Sequence, residues 1–216
     1  MPVAALLGLL TASCSQKLIS RPPPPPLSAT PPAPARVPAA GAVTEGVMQI
    51  KQLLEGLQAY DRNGRNASAQ SISFQLPESH INEYLAFACK TNPRPGIDGV
   101  SVEILPKNHV SATVIVNFEA VAGWAATLLP DMLKTLNGRQ PIRAELEFQA
   151  HDGTLMFKIS TVHLPGGGLL DLQVAGAVLQ YLAAHQPENY DVSRPIPLPF
   201  GLRRIWTEDH MIAGET

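Results

Sequence analysis

Few side chains in this sequence stand at the spacings that chemistry requires. The six histidines, at positions 80, 109, 151, 163, 185 and 210, occur singly, and no two fall at a metal-ligand spacing. His80 and Glu83 sit one turn apart on a predicted helix, where they could meet. Two groups make neither a zinc site nor a triad, so the pair reads as surface charge. Glu145 and Glu147 share the polar face of a predicted strand, and solvated edge charges account for them without a glycosidase-like carboxylate pair. Gly166-Gly167-Gly168 is not followed by the Lys-Ser or Lys-Thr of a phosphate loop and reads as a flexible helix entry. Arg203-Arg204 beside Trp206 could meet an anionic head group, although an exposed basic pair at a strand start explains it as well. Asn66-Ala67-Ser68 matches a sugar-acceptor pattern. There is no nucleophile elbow, no His-Glu-x-x-His and no Walker loop. Two cysteines, Cys14 and Cys89, exclude a disulfide framework and a cysteine-based zinc site. The expectation is a non-enzymatic protein with no catalytic residue, no metal and no cofactor.

What the sequence offers instead is apolar surface. Trp124, Leu128, Leu129, Met132 and Leu133 form one rich cluster, and Leu169, Leu170, Val174 and Val178 form a second on a later helix. One reading is that these stripes fill the core. The sharper reading is a groove for an acyl chain, lined by Trp124, Leu128, Leu129, Met132, Leu133, Leu170, Val174 and Val178. Apolar burial at about 25 cal/mol per Å² would then supply affinity with few polar contacts.

The elements that must position this surface follow from periodicity. Thr44 caps a helix with Val47, Ile50, Leu53, Leu54 and Leu57 on one face, ended by Asn63-Gly64. Ser71 to Leu76 alternates as a strand, and Pro77-Glu78 opens a helix through Cys89 with Ile81, Leu85 and Cys89 aligned, so that Cys89 reads as a buried, inert thiol. Val100, Val102 and Ile104, then Val110, Ala112, Val114, Val116 and Phe118, make a hairpin about Pro106-Lys107-Asn108. An apolar helical stretch over 120–136 follows, broken or restarted at Pro130. Ile142, Ala144, Leu146 and Phe148 turn at His151-Asp152-Gly153 and return through Leu155, Phe157, Ile159 and Thr161. A helix from Leu169 to Ala184 and a single edge strand near 201–212 carrying Trp206 complete the chain. The order predicts an α+β fold: a curved antiparallel sheet of two hairpins plus flanking strands, packed against several amphipathic helices.

Charge and proline separate this domain from what precedes it. The chain has 216 residues and a net charge of −2, with 45% hydrophobic and 16% charged residues. Three of its 16 basic residues (Lys17, Arg21 and Arg36) lie before residue 45, where there is no acid, so 45–216 holds 13 basic against 18 acidic groups, net −5. An acidic body with scattered basic residues argues against nucleic acid as a partner. Residues 3–10, Val-Ala-Ala-Leu-Leu-Gly-Leu-Leu, are too few to span a bilayer but suffice for a signal-peptide core. With Thr11-Ala12-Ser13-Cys14 following at once, the segment resembles the lipobox of bacterial lipoproteins, although Thr11 stands where a branched aliphatic residue is commoner and no basic residue precedes the core. The resemblance implies cleavage before Cys14, acylation of its thiol and a membrane anchor. Ser15 rather than Asp after the cysteine implies export to the periplasmic face of the outer membrane. Residues 15–43, with Pro22 to Pro26, Pro31-Pro32 and Pro34, favour an extended tether reaching about 90 Å at most. The organisation expected is a signal peptide at 1–13, a lipidated cysteine and tether at 14–43, and one α+β domain at 44–216.

The stretch Ser73 to Leu85 (SFQLPESHINEYL) and the ending Ile196 to Ile205 (IPLPFGLRRI) are similar to segments of exported bacterial proteins in which a strand runs into a helix and two hairpins follow. The arrangement over residues 70–212 resembles distant relatives of the TULIP-like lipid-binding superfamily. That resemblance implies acyl chains held between a helix and a curved sheet, with no single residue transferable as a defined contact. Two functions follow as expectations: binding or shielding a hydrophobic ligand in the cell envelope, or serving as a non-enzymatic scaffold for an envelope protein partner.

Overall fold

Helix α1 (Glu45–Arg62) starts where the Thr44 hydroxyl accepts the Val47 N–H at 3.4 Å, and it buries Val47, Ile50, Leu54 and Leu57 along one stripe. The computed structural model describes residues 43–63, 71–93, 96–120, 137–173, 175–176 and 194–216. After α1 come β1 (Ser73–Pro77), α2 (Glu78–Thr91), β2 (Ile97–Leu105), β3 (His109–Asn117), β4 (Arg139–His151), β5 (Thr154–His163), β6 (Ile196–Pro197), β7 (Arg204–Glu208) and β8 (Met211–Glu215). Residues 1–42, with Cys14 and the tether, and Asn66-Ala67-Ser68 lie outside the described residues.

The strands form two antiparallel sheets, one of five strands in the order β2-β3-β4-β5-β6 and one of three in the order β1-β8-β7. The larger curls strongly into a half-barrel, so the fold is α+β with a curved sheet. In its two hairpins Ile104 lies opposite Val110 and Phe148 opposite Phe157, and β3 and β4 join them with Val110 opposite Leu146. One main core joins α1, α2 and both sheets through Ile50, Leu54, Leu85, Ile104, Leu146, Phe148 and Ile212.

Strand β2 is the outer strand of the larger sheet, and its exposed backbone groups are matched by side chains of α2. The Asn82 amide accepts the Val102 N–H at 2.8 Å and donates to the Val102 carbonyl at 2.8 Å. One turn earlier, a Glu78 carboxylate oxygen accepts the Ile104 N–H at 2.6 Å. The Ile104 carbonyl takes the His210 N–H from the turn between β7 and β8. A bare edge would offer these groups to any passing strand; here a helix closes it. Helix α1 in turn lies so close to α2 that a Cβ on Gly46 would come 2.7 Å from the His80 Cα, which only glycine avoids.

The smaller sheet meets the larger at its hairpin tips. The Thr207 hydroxyl accepts the Asn108 N–H at 2.7 Å and donates to the Leu105 carbonyl at 2.6 Å, and the Thr207 N–H donates to Asn108 Oδ1 at 2.9 Å. Asn108 can serve both ways because it holds φ +62° in the tight β2–β3 turn, a conformation asparagine tolerates. At the second tip the Gly153 N–H donates to the Arg203 carbonyl at 3.0 Å. Among the described residues no buried side-chain nitrogen or oxygen lacks a partner.

Several expectations are corrected. The single C-terminal edge strand is a hairpin, β7 and β8, with β8 in the middle of its sheet. Cys89 is half-buried, because Ile81, Leu85 and Ala88 form the inward stripe of α2. In β5 the register passes from Glu145↔Thr161 to Leu146↔Ile159, leaving Ser160 as an extra residue. That bulge reverses the alternation, so Val162, not Thr161, is buried.

Replacing Asn82 with alanine strips both partners from Val102. We expect a loss of about 1–3 kcal/mol in urea unfolding, with m unchanged, whereas Asn82→Asp, which keeps the acceptor, loses less.

Candidate functional site

The inner face of the half-barrel is a continuous apolar surface. Val110, Ala112, Val114 and Val116 on β3 lie opposite Leu146, Ala144, Ile142 and Gln140 on β4, and β5 adds Leu155, Phe157, Ile159 and Val162. Its cover is uneven along the strands. Val110, Ala112, Leu146 and Phe148, near the β2–β3 and β4–β5 turns, are buried under the main core. Val114, Val116, Ile142 and Ala144, toward the opposite end, are only half-buried. There a second cluster forms from Phe118, Val162, Leu164, Leu170 and Ala175, with Val116, Ile142, Ala144 and Ile159 packed against it. Ile159 belongs to the surroundings of both clusters and links them.

Local sequence explains how each wall of this end is built. The Asn117 side chain accepts the Glu119 and Ala120 N–H groups at 3.2 and 3.4 Å, so the chain leaves β3 and turns helical at Phe118. Phe118, expected as the last inward residue of a strand, is instead swung over the sheet end, with its N–H on the Gly138 carbonyl. After β5, Pro165–Gly167 makes one 3-10 turn with Gly166 and Gly167 at positive φ, and the Leu170 N–H returns to the Val162 carbonyl at 2.9 Å. The glycines therefore reverse the chain onto β5 rather than entering a helix directly. Helical residues begin only at 172, where the Asp171 carboxylate accepts the Gln173 N–H at 2.8 Å.

Of the residues expected to line a groove, Leu170 is described, and it is buried in this second cluster. Trp124, Leu128, Leu129, Met132, Leu133, Val174 and Val178 lie outside the described residues. Leu169, expected on the same stripe as Leu170, points away and is 61% exposed, because both precede the helix and alternate as extended chain does. Phe118, Val162, Leu164 and Ala175 were not among the expected lining residues. Alternation places Phe118 within a strand, the bulge hides Val162 from the same pattern, and Leu164 stands next to a glycine turn.

The polar candidates serve structure or solvent. His80 Nδ1 lies 2.5 Å from Gln49 Oε1, and Glu83 accepts the Gly46 N–H at 3.2 Å, so the pair read as surface charge clamps α1 onto α2. Glu145 faces His163 at 3.6 Å, and Arg143 meets Glu103 at 3.1 Å, on the polar outer face of the sheet. Arg204 lies over the Trp206 ring and bridges to Glu215 at 3.5 Å. Among the described residues no group of three histidine, cysteine or carboxylate side chains could hold a metal ion. No described helix is long and apolar enough to cross a membrane.

No family model and no curated protein matches the chain.

The opposite exposures of Leu170 and Leu169 give a direct check on this cluster. Leu170→Ala should destabilise by about 2–5 kcal/mol in chemical denaturation, whereas Leu169→Ala should change stability by less than about 0.5 kcal/mol.

Proposed function

We propose that this chain is a lipid-anchored protein of the cell envelope that holds the acyl chain of a lipid, or a comparable apolar ligand, against the inner face of its half-barrel. The observation that carries this reading is the thinning of cover along that face. It passes from buried Val110, Ala112, Leu146 and Phe148 to half-buried Val114, Val116, Ile142 and Ala144 while staying apolar. A surface of this kind binds by area rather than by polar contacts. The resemblance of residues 70–212 to the TULIP-like superfamily points the same way. The anchor rests on the apolar core before Cys14 and on the proline-rich tether, which would suspend the domain within reach of the periplasmic face of the outer membrane.

A second reading, a scaffold for an envelope protein, has its own support. Strand β6 pairs with β5 at only two positions, Thr154↔Pro197 and Leu155↔Ile196, and the chain returns to β5 at His163 and Val162. Between them, residues 156–161 have no strand neighbour on that side among the described residues, and Met156 is half exposed there. Edge strands of this kind accept a strand from a partner.

Titrating the protein with the fluorescent fatty acid cis-parinaric acid separates the two. A ligand groove requires saturable binding, displaced by palmitate and weakened at least about tenfold by Val116→Glu or Ile142→Glu, which put a charge on the apolar face. Fluorescence that never saturates, or saturable binding that both variants leave unchanged, would move the assignment to the scaffold. For the anchor, labelled palmitate should be incorporated by the full chain in cells and not by Cys14→Ala, which should leave the membrane fraction.

A further inference from the structure

His210 closes the two-residue turn between β7 and β8 with φ +54°, a left-handed conformation that glycine or asparagine adopts more readily. Three hydrogen bonds hold it there. Its N–H donates to the Ile104 carbonyl at 3.2 Å, its carbonyl accepts the Glu78 N–H at 2.9 Å, and its Nδ1 lies 3.0 Å from Glu78 Oε2. The same Glu78 oxygen accepts the Ile104 N–H. One carboxylate is thus shared between the closed edge of β2 and the imidazole of another sheet. We propose that His210 is a proton-controlled clasp: protonated, it locks the β7–β8 turn and the start of α2 onto the outer edge of β2, and neutral, it lets that edge loosen.

The charges around the imidazole all favour the protonated form. Glu78 faces it from α2, Asp209 from its own turn with Oδ1 3.8 Å from Nε2, and Glu103 acts from β2. The hydrogen bond to Glu78 is the largest influence and the Asp209 charge the next, and together they raise the His210 pKa above the ordinary histidine value. A group raised in this way stabilises the fold fully below about pH 6.5, where the unfolded chain is also protonated, and the stabilisation is lost as the pH climbs through the folded value. The clasp is therefore tight in mild acid and slack in mild base.

Hydrogen exchange of the full chain, corrected for intrinsic rates, tests this at about pH 5.5 and about pH 8.5, either side of the histidine range. The segment 100–105 should exchange roughly two- to fivefold faster at the higher pH, while the central segment 144–148 holds its protection. His210→Asn keeps a residue that tolerates the left-handed turn, and Glu78→Gln keeps an acceptor for Ile104 without the charge; in both the pH difference at 100–105 should vanish. A wild-type chain with no difference at 100–105, or a His210→Asn chain that retains it, would overturn the clasp.

Discussion

A curved sheet that does not close into a full barrel must end somewhere, and each end leaves backbone donors and acceptors that water or protein has to satisfy. In this protein that constraint is met at β2 by two side chains one helical turn apart. Asn82 occupies both outward groups of Val102, and Glu78 takes the N–H of Ile104. The consequence reaches well beyond the edge. Because Asn82 and Glu78 are on α2, the helix is fixed across the rim of the sheet, and its Ile81, Leu85 and Ala88 are turned into the core. Helix α1 then packs on α2 with its own approach set by Gly46, His80 and Glu83. Because Glu78 also meets His210, the smaller sheet is tied to the same point.

The two sheets share a second junction of the same character. Thr207 and Asn108 exchange hydrogen bonds between the edge of β7 and the β2–β3 turn, and Gly153 reaches Arg203 from the β4–β5 turn. Hairpin tips, usually the loosest part of a sheet, are here the points of attachment. Neutral, reciprocal bonds suit this purpose, since they cost less desolvation than charged pairs and leave nothing unpaired when buried. On the outer face Arg143 meets Glu103 at 3.1 Å and Glu145 lies 3.6 Å from His163, both pairs partly in solvent. One end of the half-barrel is therefore clamped by polar bonds and filled by one core, while the other is covered by the Phe118–Leu170 cluster alone among the described residues.

How far the sequence made this legible depends on which kind of signal each element carries. Helix α1 and the two long hairpins were readable because long runs of 3.6 or 2 periodicity average over single exceptions. The C-terminal hairpin was not, since Asp209-His210 lacks the glycine or asparagine that usually marks a left-handed turn. Val162 escapes the alternation for a local reason, as an extra residue at Ser160 reverses the later positions of β5. Leu169 and Leu170 continue an apolar pattern that looks helical, but the chain is still extended there, and only Asp171 starts the helix. Asn82 was visible as a polar residue on α2 and nothing more. Its role depends on a strand 20 residues away in sequence, and no local pattern encodes that pairing.

That division bears on what the inner face can recognise under the proposed reading. Asn82, Thr207 and Asn108, the buried or half-buried polar groups at the junctions, are consumed by the fold. The face between β3 and β5 presents branched and aromatic carbon, with Gln140 at its margin. Such a surface distinguishes ligands by girth and length, because dispersion and hydrophobic burial scale with contact area and carry no directional code. A head group would have to be recognised elsewhere or left in water. The burial gradient supplies a direction as well: the buried rows at Val110–Leu146 form a floor, and the half-buried rows at Val114–Ile142 and Val116–Gln140 form the approach. An apolar chain entering from the β3 C-terminal end would run along the strands toward a core that is already full, so the depth of the approach, rather than any polar contact, would set the length of chain accommodated.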